Sequence, residues 1–182
     1  MNSKVENQIF IIKEVSSQEF NLVLDRHFNE VFKNRVDSNS SWSIDDSAKN
    51  KINKRKKHDQ RYQLRLLIYL NEEVVGWHFG YASDAETYYM QNSAILDKYR
   101  NRGAYSQLLS AVLEKLHQDG FQVVSSTHHP NNTAVLIPKL KKGFIVSGVN
   151  FHERFRFLIE LKYFFNKDRR ASYSKNLGLD IG

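Results

Sequence analysis

Ile95-Leu-Asp-Lys-Tyr-Arg-Asn-Arg-Gly-Ala-Tyr-Ser-Gln-Leu-Leu109 passes from the end of an apolar strand, through a short basic turn, into an amphipathic helix. That order builds a cradle for an anion. The first amide N–H groups of a helix have no acceptor inside it, and its dipole favours negative charge at that end. Arg100 and Arg102 add positive charge to the turn, and Gly103 lets backbone approach a ligand closely. By itself such a turn says only that an anion fits there.

The segments around it alternate in type. Gln8 to Val15 is rich in β-branched and aromatic residues and reads as a first strand. Ser16 with Glu19 forms a capping box, and Phe20, Leu24, His27, Phe28 and Val31 follow at helical spacing. From Asp37 to Ser47 the chain is polar and serine-rich, a loop of the kind that lines a substrate mouth, with Trp42 as a packing anchor. A short helix is expected near Asp45–Lys57. Arg61 to Leu70 and Val74 to Ala82 form a hairpin across Asn71-Glu72-Glu73, and Thr87 to Leu96 is the next strand. In the second hairpin strand Val75, Trp77, Phe79 and Tyr81 share one face, and Val74, His78 and Gly80 share the other.

After the turn, Tyr105, Leu108, Leu109, Val112, Leu113 and Leu116 make one apolar stripe, closed by Asp119-Gly120. Phe121 to Thr127 is a strand. Asn131 to Lys142 reads as partly helical, broken or begun at Pro138, because proline removes a helical hydrogen bond. Gly143 to Gly148 opens a strand and Phe155 to Phe164 closes the sheet. The pattern gives one domain over 1–166 and a basic, polar tail over 167–182 without apolar periodicity, expected to be mobile or packed late on the surface.

Composition narrows the classes. With 182 residues, 41% hydrophobic and 26% charged, the chain is long enough for one substantial core. The absence of cysteine excludes disulfides, thiolate metal sites and a cysteine nucleophile, and fits a reducing compartment. No apolar run reaches the length of a membrane span, and the N-terminus lacks a signal-peptide core, so a cytoplasmic protein without membrane contact is expected. The net charge of +7 suits an anionic ligand, an acidic substrate or nucleic acid and does not choose among them. The run Lys54–Lys57 lacks interleaved aromatics and reads as a solvated helix end, which argues against nucleic acid. His128 and His129 are adjacent, and no His-x-x-x-His spacing appears, so no metal is expected.

This order of elements, with a basic glycine turn before the central helix, resembles the GNAT acetyltransferase superfamily over roughly residues 8–165. The most specific match is Arg100-Asn101-Arg102-Gly103-Ala104-Tyr105, similar to that family's Arg/Gln-x-x-Gly-x-Gly/Ala pyrophosphate motif, with Ala94-Ile95-Leu96 in the strand before it. Asn131-Asn132-Thr133-Ala134 followed by Gly143-Phe144 resembles its Asn-x-x-Ala and Gly-Phe segments. The resemblance implies an α+β fold, a mixed and mostly antiparallel sheet splayed between two parallel strands and flanked by helices. It implies acetyl-CoA as co-substrate, a small-molecule or peptide amine as acceptor, direct attack on the thioester, and no metal. It is compatible with a homodimer. Carried over, Ile95 and Leu96 would give main-chain contacts to the pantetheine arm. Arg100, Arg102, Gly103, Ala104, Tyr105, Ser106 and Asn131 would hold the rest of the cofactor.

Two departures stand out. Tyr105 replaces a small residue, so its ring must point away or flank the cofactor, and it also fits the apolar stripe. Many relatives carry a tyrosine before Gly-Phe that protonates the departing thiolate, whereas Ile137-Pro138-Lys139 occupies that region here. For the general base, the strand position where many relatives hold glutamate falls at or near Tyr89. His128 and His129, just past the next strand, are the other candidates because histidine titrates near neutrality. The alternative reading is a loop histidine pair that caps strand ends or is exposed to water. His78 reads as packed in the sheet. Three functions follow: an N-acetyltransferase acting on a primary amine, a non-catalytic CoA-binding or regulatory module on the same fold, or, least favoured, a nucleic-acid- or ribosome-associated protein using Lys54–Lys57 and the basic tail.

Overall fold

The computed structural model describes residues 9–32, 44–153 and 155–178. Trp42 and most of the loop around it lie outside the described residues. Strand β1 (Ile11–Glu14) leads into helix α1 (Ser17–Val31), whose Ser16 cap accepts from the Glu19 amide at 3.2 Å. Helix α2 (Asp46–Lys57) starts at Asp45, which accepts from the Ala48 amide, and buries no residue. Strands β2 (Gln63–Leu70), β3 (Glu73–Ala82) and β4 (Thr87–Ile95) form an antiparallel meander.

Helix α3 (Ala104–Gln118) crosses back to β5 (Val123–His128), and helix α4 (Thr133–Lys142) crosses to β6 (Ile145–His152), which turns into β7 (Arg156–Phe164). The sheet order is β1-β2-β3-β4-β5-β7-β6, and every neighbouring pair is antiparallel except β4 with β5. This is the mixed sheet flanked by helices that the sequence implied.

Each face of the sheet has its own cover. Phe20 of α1 lies 5.8 Å, centroid to centroid, from Phe79, and Phe32 lies 6.5 Å from Trp77, so the aromatic face of β3 is packed beneath α1. On the other face the α3 stripe of Leu108, Leu109, Val112, Leu113 and Leu116 is buried. At about 25 cal/mol per Å² of apolar surface, five such side chains contribute on the order of 10 kcal/mol before entropy is counted.

Two elements differ from the sequence reading. Helix α4 neither breaks nor begins at Pro138 but runs through it. Proline there forfeits one bond, to the Ala134 carbonyl near the helix start. The turn beyond it is held by burial of Leu136 and Lys139 and by the closing bonds Gly143 N–H to Leu140 and Phe144 N–H to Lys139. The tail forms helix α5 (Lys167–Asn176), capped by Asn166. The Tyr173 ring packs tilted against Phe164 at 4.9 Å, and Arg169 reaches Glu86 at 2.8 Å. Tyr173, the Arg169 ion pair and buried Ser174 hold it, few and mostly polar contacts, which is why no periodic apolar stripe was visible.

Candidate active site

The site begins where two parallel strands part. β4 and β5 pair only through Thr87–Val123, Tyr88–Val124 and Tyr89–Ser125, yet β4 continues to Ile95 and β5 to His128. At the same level the β3–β4 register slips between Phe79 and Gly80, placing an extra residue in β4. Such a bulge bends its strand and adds local twist. Beyond it β4 keeps β3 but leaves β5, and a V-shaped gap opens. The Leu96 amide donates to Val75 on the β3 side at 2.9 Å. By the alternation of an antiparallel ladder, Ile95 and Ser93 therefore present their main-chain groups to the gap.

The wide end of the gap meets the basic turn. Tyr99 donates its hydroxyl to Glu73, and Lys98 pairs with the same carboxylate at 2.6 Å, which ties the turn to the hairpin. Asn101 at φ 60° and Gly103 at φ 81° supply two left-handed residues that reverse the chain. Gly103 precedes α3 and its carbonyl accepts from Gln107, so the amides of Ala104, Tyr105 and Ser106 form the free helix end.

The arginines are not equivalent. Arg100 folds back, its Nε donating to the Ile95 carbonyl at 3.2 Å and its Nη2 pairing with Asp97 at 2.9 Å. Arg102 lies over the Tyr99 ring, 5.8 Å from its centroid. Tyr105 turns into the core, where burial raises its phenol pKa and its hydroxyl has no partner among the described residues. Only its main chain faces the turn. A groove of about 280 Å³ between α3 and α4 is lined by Ser106, Leu109, Pro138, Lys141 and Lys142, among others.

The narrow end of the gap is polar and buried. Lys139 of α4 is 1% exposed, and its ammonium donates to Ser126 Oγ of β5 at 2.7 Å and approaches Met90 Sδ of β4 at 3.4 Å. Ser126 Oγ is also 3.0 Å from His128 Nε2. From β3, fully buried His78 lies 2.7 Å from Ser93 Oγ and 2.9 Å from the Tyr88 hydroxyl. Burial pulls Lys139 down to about 7. Burial, followed by the charge of Lys139, lowers both His78 and His128 to about 3. Lysine is thus the group in this cluster that carries a proton near neutrality, and both histidines stay neutral.

These distances alter the standing of the base candidates. His128 sits in the gap, but its environment makes it a weak base, because desolvation and a neighbouring cation both oppose its protonation. His129 is exposed on the following turn, where its Nδ1 accepts from the Asn131 amide at 3.3 Å, a loop-capping contact. Asn131 is exposed beside it, one residue before the α4 cap at Asn132. Tyr89, on the opposite face from Tyr88, bridges the strands with its hydroxyl 2.7 Å from Thr127 Oγ1. Its ring faces Tyr81 at 5.6 Å, and Tyr81 in turn carries the Arg61 guanidinium at 4.6 Å. Glu86 points away and pairs with Arg169. Lys139 was not anticipated as part of the gap, since helical periodicity alone does not tell that a lysine is buried.

A model of the acetyltransferase (GNAT) family matches residues 26–137, well over half of the chain. The chain belongs to this family. It is an acetyltransferase. No curated protein matches the sequence. Among solved structures, the fold resembles an IAA acetyltransferase from Bacillus cereus, with 13% identity, 86% of this chain and 100% of that chain covered, and a TM-score of 0.63. It also resembles the ribosomal-protein-S18-alanine N-acetyltransferase from Escherichia coli, at 12% identity, 87% and 95% coverage and a TM-score of 0.63. A GNAT family acetyltransferase from Elizabethkingia anophelis, solved with acetyl-CoA bound, has 18% identity, 86% and 98% coverage and a TM-score of 0.57. At these identities the likeness is one of fold. Among the described residues no group of three histidine or acidic side chains gathers around a metal position, and no helix is long and apolar enough to cross a membrane.

Proposed function

We propose that this acetyltransferase moves an acetyl group from acetyl-CoA to a primary amine by direct attack on the thioester. The observation that carries this reading is the open edge of β4, which runs from the bulge to the turn at the α3 N-terminus. Five residue steps from Met90 to Ile95 span about 16 Å at 3.3 Å per residue, the reach of an extended pantetheine arm. That arm would lie along Ser93 and Ile95 as an added strand; Leu96, expected to share this role, has its amide bonded to Val75 and its carbonyl to the Tyr99 amide and so leaves no main-chain group for it. The pyrophosphate would sit on the amides of Ala104, Tyr105 and Ser106 beside Gly103, with Arg102 free to swing onto it. Arg100 contributes charge while it pins the strand end, and Lys141 and Lys142 line the groove along which the nucleotide would leave.

The amine enters from the Tyr81 and Tyr89 side of the sheet. Its lone pair forms the C–N bond as the C–S bond breaks, so catalysis is mostly positioning and charge management. Tyr89 is the group best placed to meet the acceptor nitrogen, and His128 contributes as a neutral hydrogen-bonding partner. The acceptor must arrive as the free amine.

Calorimetric titration with acetyl-CoA tests the cofactor half. The wild-type chain should bind at micromolar to sub-millimolar concentration, and Gly103→Val should weaken binding at least tenfold, because a β-branched residue does not hold φ 81°. No binding at millimolar acetyl-CoA would overturn the reading. Binding without thiol release over a broad panel of amines would instead mark a non-catalytic CoA-binding module.

A further inference from the structure

The buried lysine at the closed end of the gap has no assigned task. Lys139 touches both separating strands, through Ser126 of β5 and Met90 of β4, at the level where their pairing stops. No acidic side chain is paired with it among the described residues. The groups around it are His78 from β3, Tyr88 and Met90 from β4, Ser126 and His128 from β5, and the Phe144 ring 5.0 Å away. None carries negative charge, and the histidines are neutral. A buried cation without a counter-ion is costly unless an anion arrives to meet it.

One anion is generated at that end of the gap. If the pyrophosphate lies at Gly103 and the arm follows β4, the thioester comes to rest beside the bulge, near Met90. We propose that Lys139 is the proton donor to the departing CoA sulfur. This rests on the acetyl-transfer reading above and supplies the acid that this sequence, lacking a tyrosine before Gly143-Phe144, otherwise leaves unassigned. As the amine nitrogen bonds to the carbonyl carbon, the C–S electron pair passes to sulfur, and the Lys139 ammonium first stabilises and then protonates it. The products are the amide and the free thiol, with Lys139 left neutral. The surplus proton on the amide nitrogen leaves to solvent, and a proton from solvent restores the ammonium.

Lys139 is well suited to this exchange, because burial holds it at about 7, somewhat below an ordinary thiol, so passing the proton to a thiolate is mildly downhill. Ser126 fixes the ammonium in place from one side. Its other neighbours, Met90 Sδ at 3.4 Å and the Phe144 ring at 5.0 Å, are uncharged and weak acceptors that a thiolate would outcompete.

The test uses CoA itself, so no acceptor need be known. The ultraviolet thiolate band of bound CoA is titrated in the wild type, Lys139→Met and Lys139→Tyr. A cation beside sulfur should raise the thiolate fraction of bound CoA at least tenfold near neutrality, and Lys139→Met should abolish that rise while still binding CoA. With any amine that is turned over, Lys139→Met should lower kcat by about 10²- to 10⁴-fold, the usual contribution of a positioned acid, with little change in KM for acetyl-CoA. Lys139→Tyr should recover part of kcat through its phenol without recovering the thiolate shift. Identical thiol titrations in wild type and Lys139→Met, both with CoA bound, would overturn the proposal while leaving the acetyl-transfer reading intact. Failure of the wild type to bind CoA would overturn both.

Discussion

Tyr105 sits at the first turn of α3 with its backbone toward the basic turn and its ring in the core. Its hydroxyl is buried and, among the described residues, without a hydrogen-bond partner. A buried polar atom left unpaired costs about 1–3 kcal/mol, so removing it relieves rather than harms the fold. Tyr105→Phe should therefore unfold at equal or higher denaturant concentration than the wild type, by up to about 1 kcal/mol. A loss of more than about 1 kcal/mol would show that the hydroxyl has a partner. The sequence placed Tyr105 in both the apolar stripe and the glycine motif, and only its surroundings show how one residue serves both, ring inward and amide outward. Lys139 presents the opposite case. On a helical wheel it looks like one more cation among Lys139, Lys141 and Lys142, yet it alone is buried.

At the level of elements, the gap depends on a defect in β4. The register slip beside Gly80 moves Tyr88 beneath β3, where its hydroxyl meets His78. A Cβ on Gly80 would lie 2.3 Å from that hydroxyl and 2.4 Å from the Tyr89 carbonyl. Neither atom retreats cheaply, one being hydrogen-bonded in the core and the other backbone. Gly80→Ala should destabilise the protein by about 1–3 kcal/mol, the usual cost of overpacking, seen as a lower midpoint in urea. Because the slip also shapes the gap, the variant should bind acetyl-CoA more weakly even where it is fully folded. Retained stability and affinity together would show that the bulge is not held by this contact. The strands were legible in the alternation of apolar residues. The bulge was not, since one extra residue in a strand leaves the composition unchanged and shows only in the pairing.

Across the whole molecule, the buried basic cluster sets how stability follows pH. His78 and His128 fall from 6.5 to about 3 on folding, and Lys139 falls from 10.5 to about 7. In each window the unfolded chain binds more protons than the folded one, so stability rises with pH. The histidines act between about pH 3 and 6.5, and acid unfolds the protein as they are forced to charge. Lys139 acts between about pH 7 and 10.5, below which its desolvation penalty is fully present. The penalty is on the order of a few kcal/mol, given that one pKa unit corresponds to about 1.4 kcal/mol. Chemical denaturation from pH 6 to 10 should show the wild type gaining stability. Lys139→Met should be more stable near neutrality and should flatten that rise. A variant with the wild-type slope would mean that the ammonium is solvated.

What the sequence determined alone was local. Ser16 and Glu19 specified the start of α1, the spacing of Leu108 to Leu116 specified the buried face of α3, and Arg100 to Ala104 specified a basic glycine turn between strand and helix. Each rests on neighbours within one or two turns, which a linear pattern records. The residues that meet in the gap come from β3, β4, β5 and α4, separated by up to 61 positions between His78 and Lys139. Their burial, and with it the neutral histidines and the protonated lysine, exists only once those elements are stacked. The strand, turn and helix that frame the proposed cofactor side were therefore readable from the chain. The chemistry at the closed end was decided by packing, because a side chain's proton affinity depends on what tertiary structure removes from water around it.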